Sequence, residues 1–142
     1  MNFALDTNII IRYLRNDIIV SYNVDFALKH KFQIYIPRIV DYEIRRGFSV
    51  LAVPAKKKET AYKILIERCP VAAMCDASWA KALLVYRQLY QKGFTVGEMD
   101  MLIAAFCLEY GFILVTNNTA DFANVEGLEL ADWTYEQDQF KL

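Results

Sequence analysis

The chain is poor in the residues that most enzyme chemistries require. It has one histidine, and His30 stands in Leu28-Lys29-His30-Lys31 at a predicted helix end. A solvated cation favoured by the helix dipole is expected there, not a general base. The serines are Ser21, Ser49 and Ser78, none in the strand-turn-helix context of a nucleophile elbow. Five glycines, at 47, 93, 97, 111 and 127, are too scattered for a dinucleotide fingerprint or a phosphate-cradling loop. Three cysteines (Cys69, Cys75, Cys107) form no C-x-x-C pair and have no histidine cluster near them, which argues against a disulfide framework and a zinc site and for buried, reduced thiols. No apolar run approaches the ~20 residues that span a bilayer, and the N-terminus lacks a basic region and a cleavage site. A cytoplasmic protein is expected. A net charge of −1 gives no global pull toward nucleic acid. If the protein is an enzyme, carboxylates must carry the work.

What is present is apolar and periodic. Apolar residues make up 56% of 142 positions, enough for one packed domain without a second core. The stretch Gly97 to Phe122 reads as an apolar helix over Met101 to Tyr110 opened by Asp100, a stop at Gly111, and a short strand, Phe112 to Val115. The continuous apolar character of that strand is the mark of burial on both faces. It ends in Thr116-Asn117-Asn118-Thr119, with Asp121 just after. The same pattern opens the chain, where Phe3-Ala4-Leu5 runs into Asp6-Thr7-Asn8.

Between these ends, helices are predicted over Thr7 to Leu14, Val20 to Lys29, Arg38 to Phe48 (ending at or soon after Gly47), Lys56 to Glu67 with Tyr62, Leu65 and Ile66 inward, and Ala77 to Gln91. Asp76 is the expected N-cap of the last of these and Gly93 its C′ residue. Strands are predicted over Asn2 to Leu5, Phe32 to Ile36, Val71 to Met74 and Leu128 to Trp133. Alternation of strands and helices predicts a single α/β domain over 1–133, a mostly parallel sheet with helices on both faces, and a polar tail over 134–142.

Four acids stand out. Asp6 directly follows the first strand, although an N-cap role alone would explain it. Glu43 shares a helix face with Ile36, Ile39, Val40 and Gly47, so it projects toward the apolar side. Asp41 pairs at i,i+4 with Arg45 and reads as ordinary surface. Asp100 and Asp121 have bland readings as cap and turn residues. Yet all four fall at one edge of a doubly wound sheet, where open α/β folds bind ligands. Carboxylates gathered there repel one another and raise each other's pKa unless a cation lies between them. Mg2+ or Mn2+, one or two ions, is the natural counter-charge and would support phosphodiester hydrolysis. Glu98 is a candidate outer acid, and Thr7, Asn8, Thr116 and Asn117 are short polar groups able to orient carboxylates or waters.

The segments L-D-T-N at 5–8, E-I-R-R-G at 43–47, G-E-M-D-M-L-I-A-A at 97–105, T-N-N-T-A-D-F at 116–122 and G-L-E-L-A-D-W at 127–133 resemble the PIN domain, and more narrowly the VapC-type ribonuclease toxins of toxin–antitoxin pairs. The resemblance implies a central parallel sheet flanked by helices and a metal-dependent nuclease site. In it Asp6, Glu43, Asp100 and Asp121 would be both the metal ligands and the catalytic acids. It further implies cleavage of tRNA or rRNA by a metal-activated water, a cognate antitoxin that enters the acidic groove, and a homodimer or higher toxin–antitoxin assembly. Arg12, Arg15, Arg38, Arg45, Arg46, Lys56, Lys57 and Lys58 are then candidates for RNA phosphate contacts. Two other readings compete. One is a non-catalytic PIN-fold module that binds RNA or regulates through protein partners. The other is a phosphohydrolase with an Asp6 nucleophile, disfavoured because Asp6-Thr7-Asn8 lacks the D-x-D pattern.

Overall fold

A computed structural model of the chain describes residues 1–137. Five parallel strands form the sheet: β1 (Asn2–Leu5), β2 (Gln33–Pro37), β3 (Val71–Ala72), β4 (Ile113–Val115) and β5 (Leu130–Ala131). Their spatial order is β3-β2-β1-β4-β5. From β1 the chain first winds outward through β2 and β3, then returns to the other side of β1 as β4. The order therefore reverses between β1 and β4, which opens a crevice at their carboxyl ends. Register is fixed by Phe3 against Ile34 and Ile113, and by Ala4 against Tyr35 and Leu114. Phe3, Leu5, Ile34, Ile36, Leu114 and Val115 are almost wholly buried, as expected of strands covered on both faces.

Seven helices are described: α1 (Thr7–Leu14), α2 (Ile18–Lys29), α3 (Arg38–Ser49), α4 (Lys56–Arg68), α5 (Asp76–Gln91), α6 (Glu98–Tyr110) and α7 (Thr119–Phe122). The limits of α1 are those predicted. Helix α2 begins two residues early because Asp17 caps it, accepting from the Val20 N–H at 3.1 Å. His30 is its C-cap, at the helix end where its sequence context placed it, and its ring stacks on Phe26. Gly47 lies inside α3 and does not end it.

Several expectations are corrected. Asp76 is the first residue of α5 and not its cap. Cys75 holds that position, with the backbone N–H of Cys75 donating to Ser78 Oγ at 3.3 Å. Cys75 is accordingly exposed, while Cys69 and Cys107 are buried as expected. Helix α6 starts at Glu98 behind Gly97, so Asp100 lies within its first turn and does not cap it. Strands β3 and β5 are only two residues long, shorter than the apolar runs that predicted them. Gly93 and Gly111 have φ of 74° and 70°, the left-handed conformation that ends α5 and α6 where predicted.

The tail is tied down as far as it is described. Asn23, 1% exposed, donates to the carbonyls of Trp133 and Tyr135, and Trp133 packs on Phe3. The rest of the predicted polar tail, 138–142, lies outside the described residues. Among the described residues no helix is long and apolar enough to cross a membrane.

Candidate active site

Asp6 stands where β1 gives way to α1. Its backbone N–H donates to the Val115 carbonyl at 2.9 Å, extending the β1–β4 ladder by one residue and delivering the side chain to the crevice. The carboxylate is held at both oxygens. Oδ1 accepts from the Thr7 N–H at 2.8 Å and Oδ2 from Thr116 Oγ1 at 2.7 Å. Thr116 is fully buried at the end of β4, and its hydroxyl also accepts the Asn118 N–H at 3.0 Å. Asp6 therefore performs the capping role and still presents a fixed carboxylate at the sheet edge. Burial drives its pKa upward. The bonds from Thr116 and Thr7 oppose that rise, and the charge of Asp121 adds to it.

Helix α3 carries Glu43, half-buried and facing α1, where Oε1 accepts from Thr7 Oγ1 at 2.9 Å. Thr7 thus links two of the four acids, one through its backbone and one through its hydroxyl. Asp100 rises from the first turn of α6. Its pKa is pushed up to about 6, first by burial and then by the charges of Asp6, Glu43 and Asp121. Asp121 sits on the short exposed helix α7 and adds its field to both Asp6 and Asp100. The four acids predicted from the sequence therefore meet at one edge of the sheet, where Asp100 feels the charges of the other three.

The donors suit a hard divalent cation: carboxylate oxygens with hydroxyls behind them, and no soft ligand among them. The Oδ1 of Asn8, buried in the first turn of α1, has no hydrogen-bond partner among the described residues. The carboxylates are not closed on a single point, since no three acid, histidine or cysteine side chains among the described residues already form a ligand set. The fit is thus one of chemistry and charge.

The supporting groups divide. Thr7 and Thr116 contact the acids directly, as above. Asn117 instead reaches away, to Asp132 Oδ2 and Thr134 Oγ1, both at 3.4 Å. Glu98 is exposed in the first turn of α6. Sequence reasoning missed Asp132, which follows β5 as Asp6 follows β1 and bonds the Thr134 N–H and hydroxyl. That parallel placement was the available signal.

Asp41 is a second correction. Far from lying on the surface, it is 2% exposed, and its carboxylate accepts from Tyr62 Oη at 2.7 Å, Arg45 Nε at 2.9 Å and Arg38 at 3.1 Å. Burial raises its pKa, but these three donors outweigh burial and hold it below the usual carboxylate range. The predicted Arg45 pairing is real. A second signal lay in Tyr62, read as inward, because a buried phenol needs an acceptor.

The basic candidates also divide. Arg12 pairs with Asp17, Arg38 and Arg45 with Asp41, and Arg46 lies over the Tyr42 ring. Lys56 and Lys57 are exposed at the start of α4. Arg15 and Lys58, with Thr7 and Glu43, line a cleft of ≈ 260 Å³ that runs from the acids between α1, α3 and α4.

A family model described as PIN domain matches residues 3–128. Ribonuclease VapC2 of Rickettsia felis is 30% identical over 139 residues, covering 94% of this chain and 98% of that protein. The tRNA(fMet)-specific endonuclease VapC of Shigella flexneri is 28% identical, covering 94% and 99%. The crystal structure of VapBC2 from Rickettsia felis, bound to a DNA fragment from its promoter, matches with a TM-score of 0.87 at 25% identity, over 94% of this chain and 99% of that one.

Proposed function

This chain belongs to the PIN domain family as a VapC-type member, and from that premise we propose that it is a metal-dependent endoribonuclease, the toxin of a toxin–antitoxin pair. Its substrate in this reading is structured RNA, tRNA or rRNA, and a cognate antitoxin restrains it. The observation that carries the reading is the crowding of carboxylates about Asp100, whose pKa burial, and then the charges of Asp6, Glu43 and Asp121, push up to about 6. Such crowding is costly to maintain without a cation to relieve it.

In this mechanism the four carboxylates would hold Mg2+ or Mn2+. A bound divalent ion supplies Lewis acidity toward the scissile phosphodiester and toward water. The protein's own part is orientation. Thr116 and the Thr7 N–H occupy one lone pair on each oxygen of Asp6, so that its rotamer is fixed and its remaining lone pairs face the crevice. Thr7 Oγ1 does the same for Glu43 Oε1. Asp100 enters from the opposite helix, and Asp121 closes the acidic rim. Fixing these groups before substrate arrives avoids reorganisation during reaction. Arg15 and Lys58 along the adjoining cleft would take RNA phosphates.

The test is to incubate purified protein with total RNA in Mg2+, in Mn2+ and in chelator, beside an Asp6→Asn variant. Discrete cuts that need the metal and vanish in the variant are expected. RNA that is bound but left intact by folded, metal-supplied protein would move the reading to a non-catalytic RNA-binding module.

A further inference from the structure

Strands β1, β4 and β5 end in register. Leu5 pairs with Val115 and Val115 with Ala131, so Asp6, Thr116 and Asp132 are the residues that follow the three strands in one row. The Thr116 N–H donates to the Ala131 carbonyl at 2.9 Å and carries the β4–β5 ladder one residue further. Asp132 therefore stands at the same edge as Asp6, with Thr116 between them. It is not among the acids whose charges raise the pKa of Asp100, and its carboxylate is engaged differently.

Oδ1 of Asp132 accepts from the Thr134 N–H at 2.9 Å and from Thr134 Oγ1 at 2.6 Å, which closes a turn at the end of β5. Oδ2 is left to reach across to the loop after β4, where it accepts from Asn117 Nδ2 at 3.4 Å. The same nitrogen donates to Thr134 Oγ1, also at 3.4 Å. The two hydrogens of one amide thus join Asp132, Thr134 and Asn117 in a ring. Its footing is rigid. Trp133 is wholly buried against Phe3, and Asn23 donates to the Trp133 and Tyr135 carbonyls at 3.0 and 2.9 Å.

Asn117 lies between β4 and α7, and what stands on either side of it serves the acids. On one side is Thr116, whose hydroxyl accepts the Asn118 N–H at 3.0 Å and so has its own hydrogen directed at Asp6 Oδ2. On the other is Asp121, whose N–H donates to the Asn118 carbonyl at 3.0 Å. Helix α7 has four residues and no side-chain cap from Asn118, too little to hold itself in place. Phe122, 1% exposed, pins its far end in the core. Its near end is pinned through Asn117. We infer that Asp132 is a positioning residue of the acidic site: acting through Asn117, it fixes the turn that aims Thr116 at Asp6 and carries Asp121 to the rim. Two of the four carboxylates then take their places from a fifth that lies outside the quartet. The clamp itself stands on this geometry, and its service to a bound metal rests on the proposed function.

Amide exchange and Mn2+ binding test the two separately on the full chain, with Asn117→Ala, Asp132→Ala and the double variant. In chelator, the Asn118 and Asp121 amides should exchange about tenfold faster in each variant by NMR, as for a lost hydrogen-bonded contact. The amides of Ser21 in α2 and Glu59 in α4, bonded to the Asp17 and Ala55 carbonyls, should keep wild-type rates. Mn2+ binding, read from the electron paramagnetic resonance of the unbound ion, should weaken about tenfold in each, as for an outer partner of a ligand set. The double variant should lose no more than the weaker-binding single one, because the two residues act as a unit. Asn117 carries no charge, so its effect is separate from the field of Asp132. Wild-type exchange at Asn118 and Asp121 in either variant, wild-type Mn2+ affinity in Asn117→Ala, or losses that multiply in the double variant would each overturn the inference. A wild-type chain that takes up no Mn2+ would instead count against the proposed function, and the exchange rates would then decide the clamp alone.

Discussion

At the scale of single residues, Asp100 is the informative position. Its folded pKa of about 6 lies above the ordinary aspartate value of 3.8, so between those values the folded chain holds more protons than the unfolded chain. Without metal, wild type should therefore gain stability as pH falls from 7 to 5, because protonation relieves the burial of a charge and the repulsion from Asp6, Glu43 and Asp121. Asp100→Asn removes that charge at every pH. In chelator at pH 7.5 the variant should melt above wild type by about 1 kcal/mol, a figure discounted for the partial exposure of the group. The advantage should shrink as pH falls below about 6 and vanish only near the ordinary aspartate value of 3.8, where the unfolded chain is protonated as well. Cleavage should be lost throughout. Thermal melts across that range decide the matter: a variant that melts below wild type at pH 7.5 would show that the carboxylates do not crowd one another. A stability gain coupled to loss of activity is the usual trade at a site built from like charges.

At the scale of elements, α3 presents Glu43 because it is anchored on two sides. One anchor is Thr7 on α1, and the other is Asp41, which binds Tyr62 on α4. Tyr62→Phe deletes one charge-assisted donor from a buried carboxylate and leaves the arginines in place. A hydrogen bond to a charged group is worth about 1.5–3 kcal/mol, so chemical denaturation should register a loss of about 2 kcal/mol. A loss below 0.5 kcal/mol on the same axis (about the ordinary effect of a surface change) would mean that the arginines alone hold Asp41. This anchor also marks where the sequence stopped being legible. The i,i+4 spacing of Asp41 and Arg45 was visible, but the spacing has the same appearance in water and in the core. Only the arrival of α4, from twenty residues further along the chain, buries Asp41. Helix cores and the acids beyond β1 and β4 were readable because periodicity and strand ends are local. The two-residue strands β3 and β5 were overestimated because apolar runs continue past the last paired residue, into side chains that pack without a ladder partner. The first turn of α6 was missed because Glu98 and Asp100 interrupt the apolar pattern, while Gly97 gives no side-chain cap.

At the scale of the molecule, a net charge of −1 conceals a division. The acids crowd the crevice, and a cleft holding Arg15 and Lys58 leads away from it. Under the proposed function, polyanionic RNA would approach a site that repels it, so affinity would have to come from cations beside the crevice and from a metal held within it. Of the eight basic candidates, four have a partner in Asp17, Asp41 or Tyr42 and two lie at the exposed start of α4; the remaining two, Arg15 and Lys58, line the same cleft as Glu43. Each phosphate neutralised releases counterions, which gives log affinity a slope of about −0.7 per contact against log salt for single-stranded nucleic acid. Removing both contacts with Arg15→Gln and Lys58→Gln should flatten that slope by about 1.4, measured by tRNA binding in an Asp100→Asn background that leaves the RNA uncut. Arg12→Gln, whose guanidinium is already engaged by Asp17, should change it less. If the double variant kept the full slope while Arg12→Gln flattened it, RNA would have to enter across α1 and α2, and the cleft beside Glu43 would be free for a protein partner.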